Sequence, residues 1–134
     1  MRRSCIGLAV RAGFDRWAIM EAMEQLKRVY AAFNARDLDT AVSLMHPDVD
    51  WPNGWEGGRI QGRDAVRDYW TRQFESIQSN VEPLEFTEAG DRVAVTVRQV
   101  IRDLDGNVLS EGKTSHVYTL RDGLVTRMDI VNLS

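Results

Sequence analysis

Two histidines occur in the chain, His46 and His116, and their settings differ. His46 precedes Pro47 at what reads as a helix end, where capping accounts for it. His116 lies in the alternating run Ser115-His116-Val117-Tyr118-Thr119-Leu120, which reads as a strand leading into Asp122-Gly123, a two-residue hairpin signal. A two-residue turn there places His116 opposite Asp129 and Tyr118 opposite Arg127, with all four side chains on one face. A carboxylate beside an imidazole orients the ring, fixes its tautomer and favours its charged form, which suits the ring to acid–base catalysis near neutral pH. The competing reading makes His116 a satisfied core or rim histidine and Asp129 a paired or solvated charge. A one-residue slip exchanges the two faces of the sheet, and a three-residue loop sets His116 against Met128 instead.

The elements that must hold these groups follow from the period of the apolar residues. Ile19, Met23, Leu26, Val29, Tyr30 and Phe33 recur at helical spacing and predict a helix from about Trp17 to Phe33, ended by Asn34 in the left-handed conformation. Asp37 caps a second short helix with Leu38, Ala41, Val42 and Met45 inward, stopped by Pro47. Residues 48–62 are rich in turn formers and read as a loop or edge strand, and a third helix runs from about Arg63 to Ile77. After Asn80 the period changes to two, giving strands over Val81–Thr87, Arg92–Arg102, Val108–Leu120 and Leu124–Val131. Asp105-Gly106 and Asp122-Gly123 join the last three into an antiparallel meander.

Helices first and strands afterwards predict an α+β fold. The first hairpin sets Val93, Val95 and Val97 beside Tyr118, His116 and Thr114, and valines that call for burial mark that face as the pocket face. Val117, Met128 and Ile130 then fall on the outer face, uncovered by helices, which predicts a homodimer through it. Trp51, Trp55, Tyr69 and Trp70 gather around the loop and third helix as a pocket mouth for flat or apolar ligands, with core packing as the rival reading, most strongly for Tyr69 and Trp70. Tyr30, Tyr118, Val95 and Arg127 complete the candidate ligand-binding set.

The chain has 134 residues, room for one domain with one core. Seventeen Lys and Arg against twenty Asp and Glu leave a net charge of -3, so no positive field gathers nucleic acid. One cysteine forms no internal disulfide, no Cys/His cluster has zinc spacing, and no apolar run is long enough to span a membrane, so a cytoplasmic home without metal is expected. Gly54, Gly57 and Gly58 lack the strand-to-helix setting of a dinucleotide fingerprint, so no organic cofactor is expected either. The short apolar run before Arg11 does not make a signal peptide, and residues 1–17 are set apart as an N-terminal extension to a domain spanning 18–134.

Val29-Tyr30-Ala31-Ala32-Phe33-Asn34-Ala35-Arg36-Asp37-Leu38-Asp39, with Leu44-Met45-His46-Pro47-Asp48-Val49 after it, resembles the opening of SnoaL-like and ketosteroid-isomerase-like proteins of the nuclear-transport-factor-2-like superfamily. Gly62-Arg63-Asp64-Ala65-Val66-Arg67 resembles the start of their third helix, and residues 116–125 their last hairpin. The resemblance implies a cone: a curved mixed or antiparallel sheet wrapped around three N-terminal helices, with an internal pocket and often a dimer through the outer face. It does not imply one activity, since the same cone serves isomerases, cyclases, dehydratases, epoxide hydrolases and binding proteins. The steroid isomerases' general-base aspartate aligns near Asn53 and their tyrosine oxyanion donor near Val29, neither of which can serve. Their second donor aligns near His116, which can still donate, and a shifted loop would bring Asp48, Asp50 or Glu56 toward the base position. The leading expectation is therefore a cofactor-independent isomerase, cyclase or lyase acting on a small apolar metabolite by proton transfer through His116 and Asp129. The alternative is a non-catalytic ligand-binding or association module.

Overall fold

The computed structural model describes residues 16–133. Of the extension expected over residues 1–17, all but the last two residues lie outside that range. Among the described residues the elements run α1 (Arg16–Asn34), α2 (Leu38–Ala41), β1 (Met45–Pro52), β2 (Arg59–Gln61), α3 (Arg63–Gln73), β3 (Ile77–Ala89), β4 (Arg92–Asp103), β5 (Val108–Arg121) and β6 (Leu124–Asn132). The strands form one open, curved sheet in the order β2-β1-β6-β5-β4-β3, and the fold is the expected α+β.

α1 is rich in Ala, Met, Glu, Leu, Lys and Arg, which lose little side-chain freedom in a helix, and it buries Ile19, Leu26, Val29, Tyr30 and Phe33 against the sheet. Its end departs from expectation. Arg36, not Asn34, takes the left-handed conformation, with a φ of 64°. The Asn34 amide instead donates to the Val81 carbonyl and accepts from the Val81 N–H, both at 2.8 Å, and Arg36 donates to the Ser79 carbonyl at 2.7 Å. Because β3 is an outer strand, these bonds occupy backbone groups that would otherwise form a free edge.

α2 begins where Asp37 accepts from the Thr40 N–H, but it stops at Ala41 instead of reaching His46. Met45 already opens β1, which is an inner strand and not the loop or edge strand expected over residues 48–62. Val49 and Trp51 point inward and Asp48 and Asp50 outward, a period-two pattern overshadowed in the sequence by the turn formers that follow. β1 pairs in parallel with β6, so the sheet is mixed. Gly62, at a φ of 99° that side chains resist, starts α3, and α3 ends at Gln73 because Ile77 belongs to β3.

The β4–β5 ladder aligns Val93, Val95 and Val97 with Tyr118, His116 and Thr114, and the three valines are fully buried. The turn there is longer than two residues, since Asp103 donates to the Asn107 carbonyl, but a bulge at Leu109 restores the register. The β5–β6 ladder behaves otherwise. Asp122 and Gly123 both have positive φ, 54° and 82°, and form the expected two-residue turn, with Arg121 opposite Leu124 and Leu120 opposite Val125. One extra residue, Thr126, then bulges, and Thr119 faces Arg127, Val117 faces Asp129, and His116 faces Ile130. The expected His116–Asp129 and Tyr118–Arg127 pairs are therefore not formed. Met128 and Ile130, expected outside, share the inner face with Tyr118 and His116, and the outer apolar patch invoked for a dimer loses two of its three members.

Replacing Asn34 with Ala leaves two backbone groups of Val81 unmatched at a part-buried edge and should lower stability by about 1–3 kcal/mol. Urea unfolding would read this as a lower midpoint at unchanged slope; an unchanged midpoint would mean that water replaces the cap without loss.

Candidate active site

The concave face of the sheet, α1 and α3 enclose a cavity of about 360 Å³. α1 contributes Val29, Tyr30 and Phe33; β1 and α3 contribute Trp51, Tyr69 and Trp70; β5 and β6 contribute His116, Tyr118 and Met128. Trp51 and Trp70 meet edge to face at 5.6 Å, and Phe33 packs on Trp70 at 4.9 Å, so the aromatic wall is held by its own contacts. Trp55 reaches the mouth from the 53–58 loop and is 44% exposed. Asn53 holds that loop by accepting from the Trp55 and Glu56 N–H groups, which is its work in place of a general base.

The polar part of the wall is a chain of three side chains. The Tyr30 hydroxyl lies 2.9 Å from His116 Nδ1 and 2.6 Å from the Tyr118 hydroxyl. Tyr30 stands about one helical turn before the end of α1 at Asn34, whereas the other two alternate on β5, so packing of α1 into the sheet is what joins them. Tyr30 and His116 also stack, with planes 19° apart. Among the described residues His116 Nε2 makes no hydrogen bond, and neither do the indole nitrogens of Trp51 and Trp70. Among the described residues no sealed side-chain nitrogen is left without a partner, so these three atoms keep accessible surface, and all three belong to residues that line the cavity.

Among the described residues no Asp, Glu, Lys or Arg lines the cavity. Asp129, expected to face His116, lies outside, where Arg127 holds it at 2.9 and 3.0 Å and Arg59 at 3.2 Å. The hydrogen bond from Arg127 lowers the Asp129 pKa first, with the Arg59 charge adding to it. Arg127 and Arg59 also bind Asp50, at 2.8 and 2.7 Å, so Asp50 too is turned away from the cavity, and Asp48 and Glu56 do not line it. Val95 is sealed in the core beneath His116 and does not line the cavity. Gln99 and Ile101, which the sequence alone did not single out, and Met128 and Ile130, which it placed on the outer face, do line it. Gln99 and Ile101 continue the Val93, Val95, Val97 alternation and were findable from it, whereas Met128 and Ile130 were assigned to the wrong face by the bulge.

With no carboxylate of the described residues beside it, the His116 ring is governed by burial, which lowers its pKa from 6.5 to about 4 and keeps it neutral. The charged imidazolium expected from an Asp129 partner is thereby overturned. Burial raises the Tyr30 pKa, with Tyr118 adding to the effect, and burial also raises that of Tyr118, so both remain protonated donors. Between pH 6.5 and about 4 only the unfolded chain protonates this ring, so His116 makes no contribution to pH dependence above 6.5 and progressively disfavours folding as pH falls through that window, by about 3 kcal/mol in all. The stability of His116→Gln should therefore fall less steeply than wild type from pH 6.5 to 4 in denaturant titrations; parallel curves would place the ring in solvent.

The sequence model of the SnoaL-like domain matches residues 26–128. No curated protein matches the chain. Solved structures do. TerC, co-crystallised with polyporic acid, superposes with a TM-score of 0.73 at 29% identity, covering 84% of this chain and 91% of that one. An NTF2-like protein of unknown function from Burkholderia pseudomallei gives 0.73 at 26%, covering 84% and 90%. A candidate polyketide cyclase from Sinorhizobium meliloti gives 0.69 at 25%, covering 80% and 93%. The family match spans the elements that build the cavity, from the middle of α1 to Met128 on β6, and with the cone-like sheet it establishes that the chain belongs to the SnoaL-like domain family.

Proposed function

We propose that the cavity binds a small, flat, uncharged and largely apolar molecule, and that His116 is the group that meets its reacting atoms in a cofactor-independent isomerisation, cyclisation or elimination. The observation that carries this reading is an aromatic cavity with, among the described residues, no charged side chain in its wall and one imidazole set into it on a tyrosine support. An ionic ligand would leave water for a site that offers it no counter-charge, whereas a neutral ring system buries its faces against Trp51 and Trp70. TerC with polyporic acid supports the small-molecule part of the reading, and the candidate polyketide cyclase supports the reaction class. Asp129 drops out of the mechanism, and Arg127 and Val95 out of the ligand contacts.

The alternative, a binding module without chemistry, uses the same cavity. A cytoplasmic location and a homodimer through the outer sheet face stay part of the proposed reading, although that face keeps only Val117 of the three apolar residues first assigned to it; a monomer at tens of micromolar in sedimentation would remove the dimer.

Thermal-shift screening with neutral polycyclic ketones and phenols, beside carboxylated analogues, tests the ligand class. A neutral ligand at a hundred times its Kd should raise Tm by about 10 °C, and Trp70→Ala should weaken its binding by about tenfold or more. Preference for the carboxylated set would contradict the uncharged-cavity reading. With a turned-over substrate in hand, His116→Gln should keep binding and lose turnover by about a hundredfold or more. Turnover undiminished by that change would leave the binding module as the better account.

A further inference from the structure

The hydroxyl hydrogens of Tyr30 and Tyr118 decide which nitrogen of His116 carries its proton. The three groups share two hydrogen bonds, one between the hydroxyls of Tyr118 and Tyr30 and one between Tyr30 and Nδ1; with Nδ1–H as donor one of the two hydroxyl hydrogens is left over whichever way the tyrosines point, so two cases arise. In one, Nδ1–H donates to Tyr30 and Tyr30 donates to Tyr118; the Tyr118 hydrogen then has no acceptor among the described residues, in a side chain only 3% exposed. In the other, Tyr118 donates to Tyr30 and Tyr30 donates to a bare Nδ1, so both hydroxyl hydrogens have acceptors, and the hydrogen without an acceptor among the described residues is the one on Nε2, an atom that keeps accessible surface. A buried hydroxyl without an acceptor loses the hydrogen bond it had with water, so the second arrangement is favoured.

We infer that Tyr118 and Tyr30 act as positioning residues that hold His116 as the Nε2–H tautomer, so that the ring presents a hydrogen-bond donor, and not a lone pair, to the cavity. The indole N–H groups of Trp51 and Trp70, unpartnered among the described residues and not sealed, belong to the wall of the same cavity. All three are donors, which assigns the ligand, on the reading proposed above, to molecules that carry a carbonyl or enol oxygen as acceptor. His116 then polarises that oxygen through a hydrogen bond from Nε2–H, a role in which the ring does not itself take up a proton. Burial favours the neutral ring on which this role depends.

The tautomer can be read without any ligand, from long-range ¹H–¹⁵N spectra of protein labelled at histidine, with His46→Gln to assign the two rings. The expected result is a bare Nδ1 and a protonated Nε2 at His116; a protonated Nδ1 overturns the inference. Tyr30→Phe should introduce a measurable Nδ1–H population, and an unchanged tautomer in that variant would overturn the positioning role. For the ligand class, 2-acetylnaphthalene is the probe. Its C=O stretch should move to lower frequency on binding, and His116→Phe should abolish the shift. Binding with an unshifted carbonyl overturns the donor role, whereas failure to bind overturns the ligand class together with the reading it rests on and leaves the tautomer to the spectra.

Discussion

Side chains on a strand alternate between two faces, so one extra residue moves everything beyond it to the other side. Thr126 is that residue in β6. Without it, Asp129 and Arg127 would stand beside His116 and Tyr118 in a half-apolar interior, and Met128 and Ile130 would be outside. With it, the carboxylate and the guanidinium face solvent, and Met128 closes the floor of the cavity beside Tyr118. The bulge also bends the strand, as those near Leu84 and Leu109 do in their ladders, and curls the sheet around α1. A neutral cavity and the curvature that encloses it thus depend on the same kind of local insertion.

Charge is sorted accordingly. Asp50, Arg59, Arg127 and Asp129 form one network on the outer face, tying β2 and β1 to β6. Individually such exposed pairs contribute little, but their geometry holds the short strand β2 to the sheet. Moving any one of these carboxylates inward would cost several kcal/mol of desolvation with no arginine to compensate. The interior instead satisfies its polar groups with hydroxyl, imidazole and amide: Tyr30 with His116 and Tyr118, and Gln99 with Ser79. Hydrogen bonds between neutral groups persist where ion pairs would be expensive, and they leave the ring of His116 uncharged.

Much of the fold was legible because local signals agree. The stripe of α1, the Asp37 cap, the two Asp-Gly turns and the change of period after Asn80 each point to the element observed. Residues on β4 and β5 were assigned to the right faces because the Val93, Val95, Val97 alternation carries its own register. β6 was misassigned because a bulge depends on how the sheet must curve, and Leu124–Asn132 is apolar on both faces, so neither register is marked by its composition. Of the site, the aromatic residues and His116 could be named from residue type and position. Tyr30's bond to His116 could not, since it joins a helix to a strand 86 residues away through packing alone.

The separation of His116 from Asp129 is the point on which the neutral cavity rests, and the ring's pKa in the Asp129→Asn variant measures it. A carboxylate in contact with the imidazole would have raised that pKa, so its removal would lower it. Here the carboxylate is bound to Arg127 and Arg59 on the opposite face, and NMR titration of His116 should give the same value near 4 in both proteins. A pKa that falls on removing the Asp129 charge would put the carboxylate back beside the ring and contradict the account.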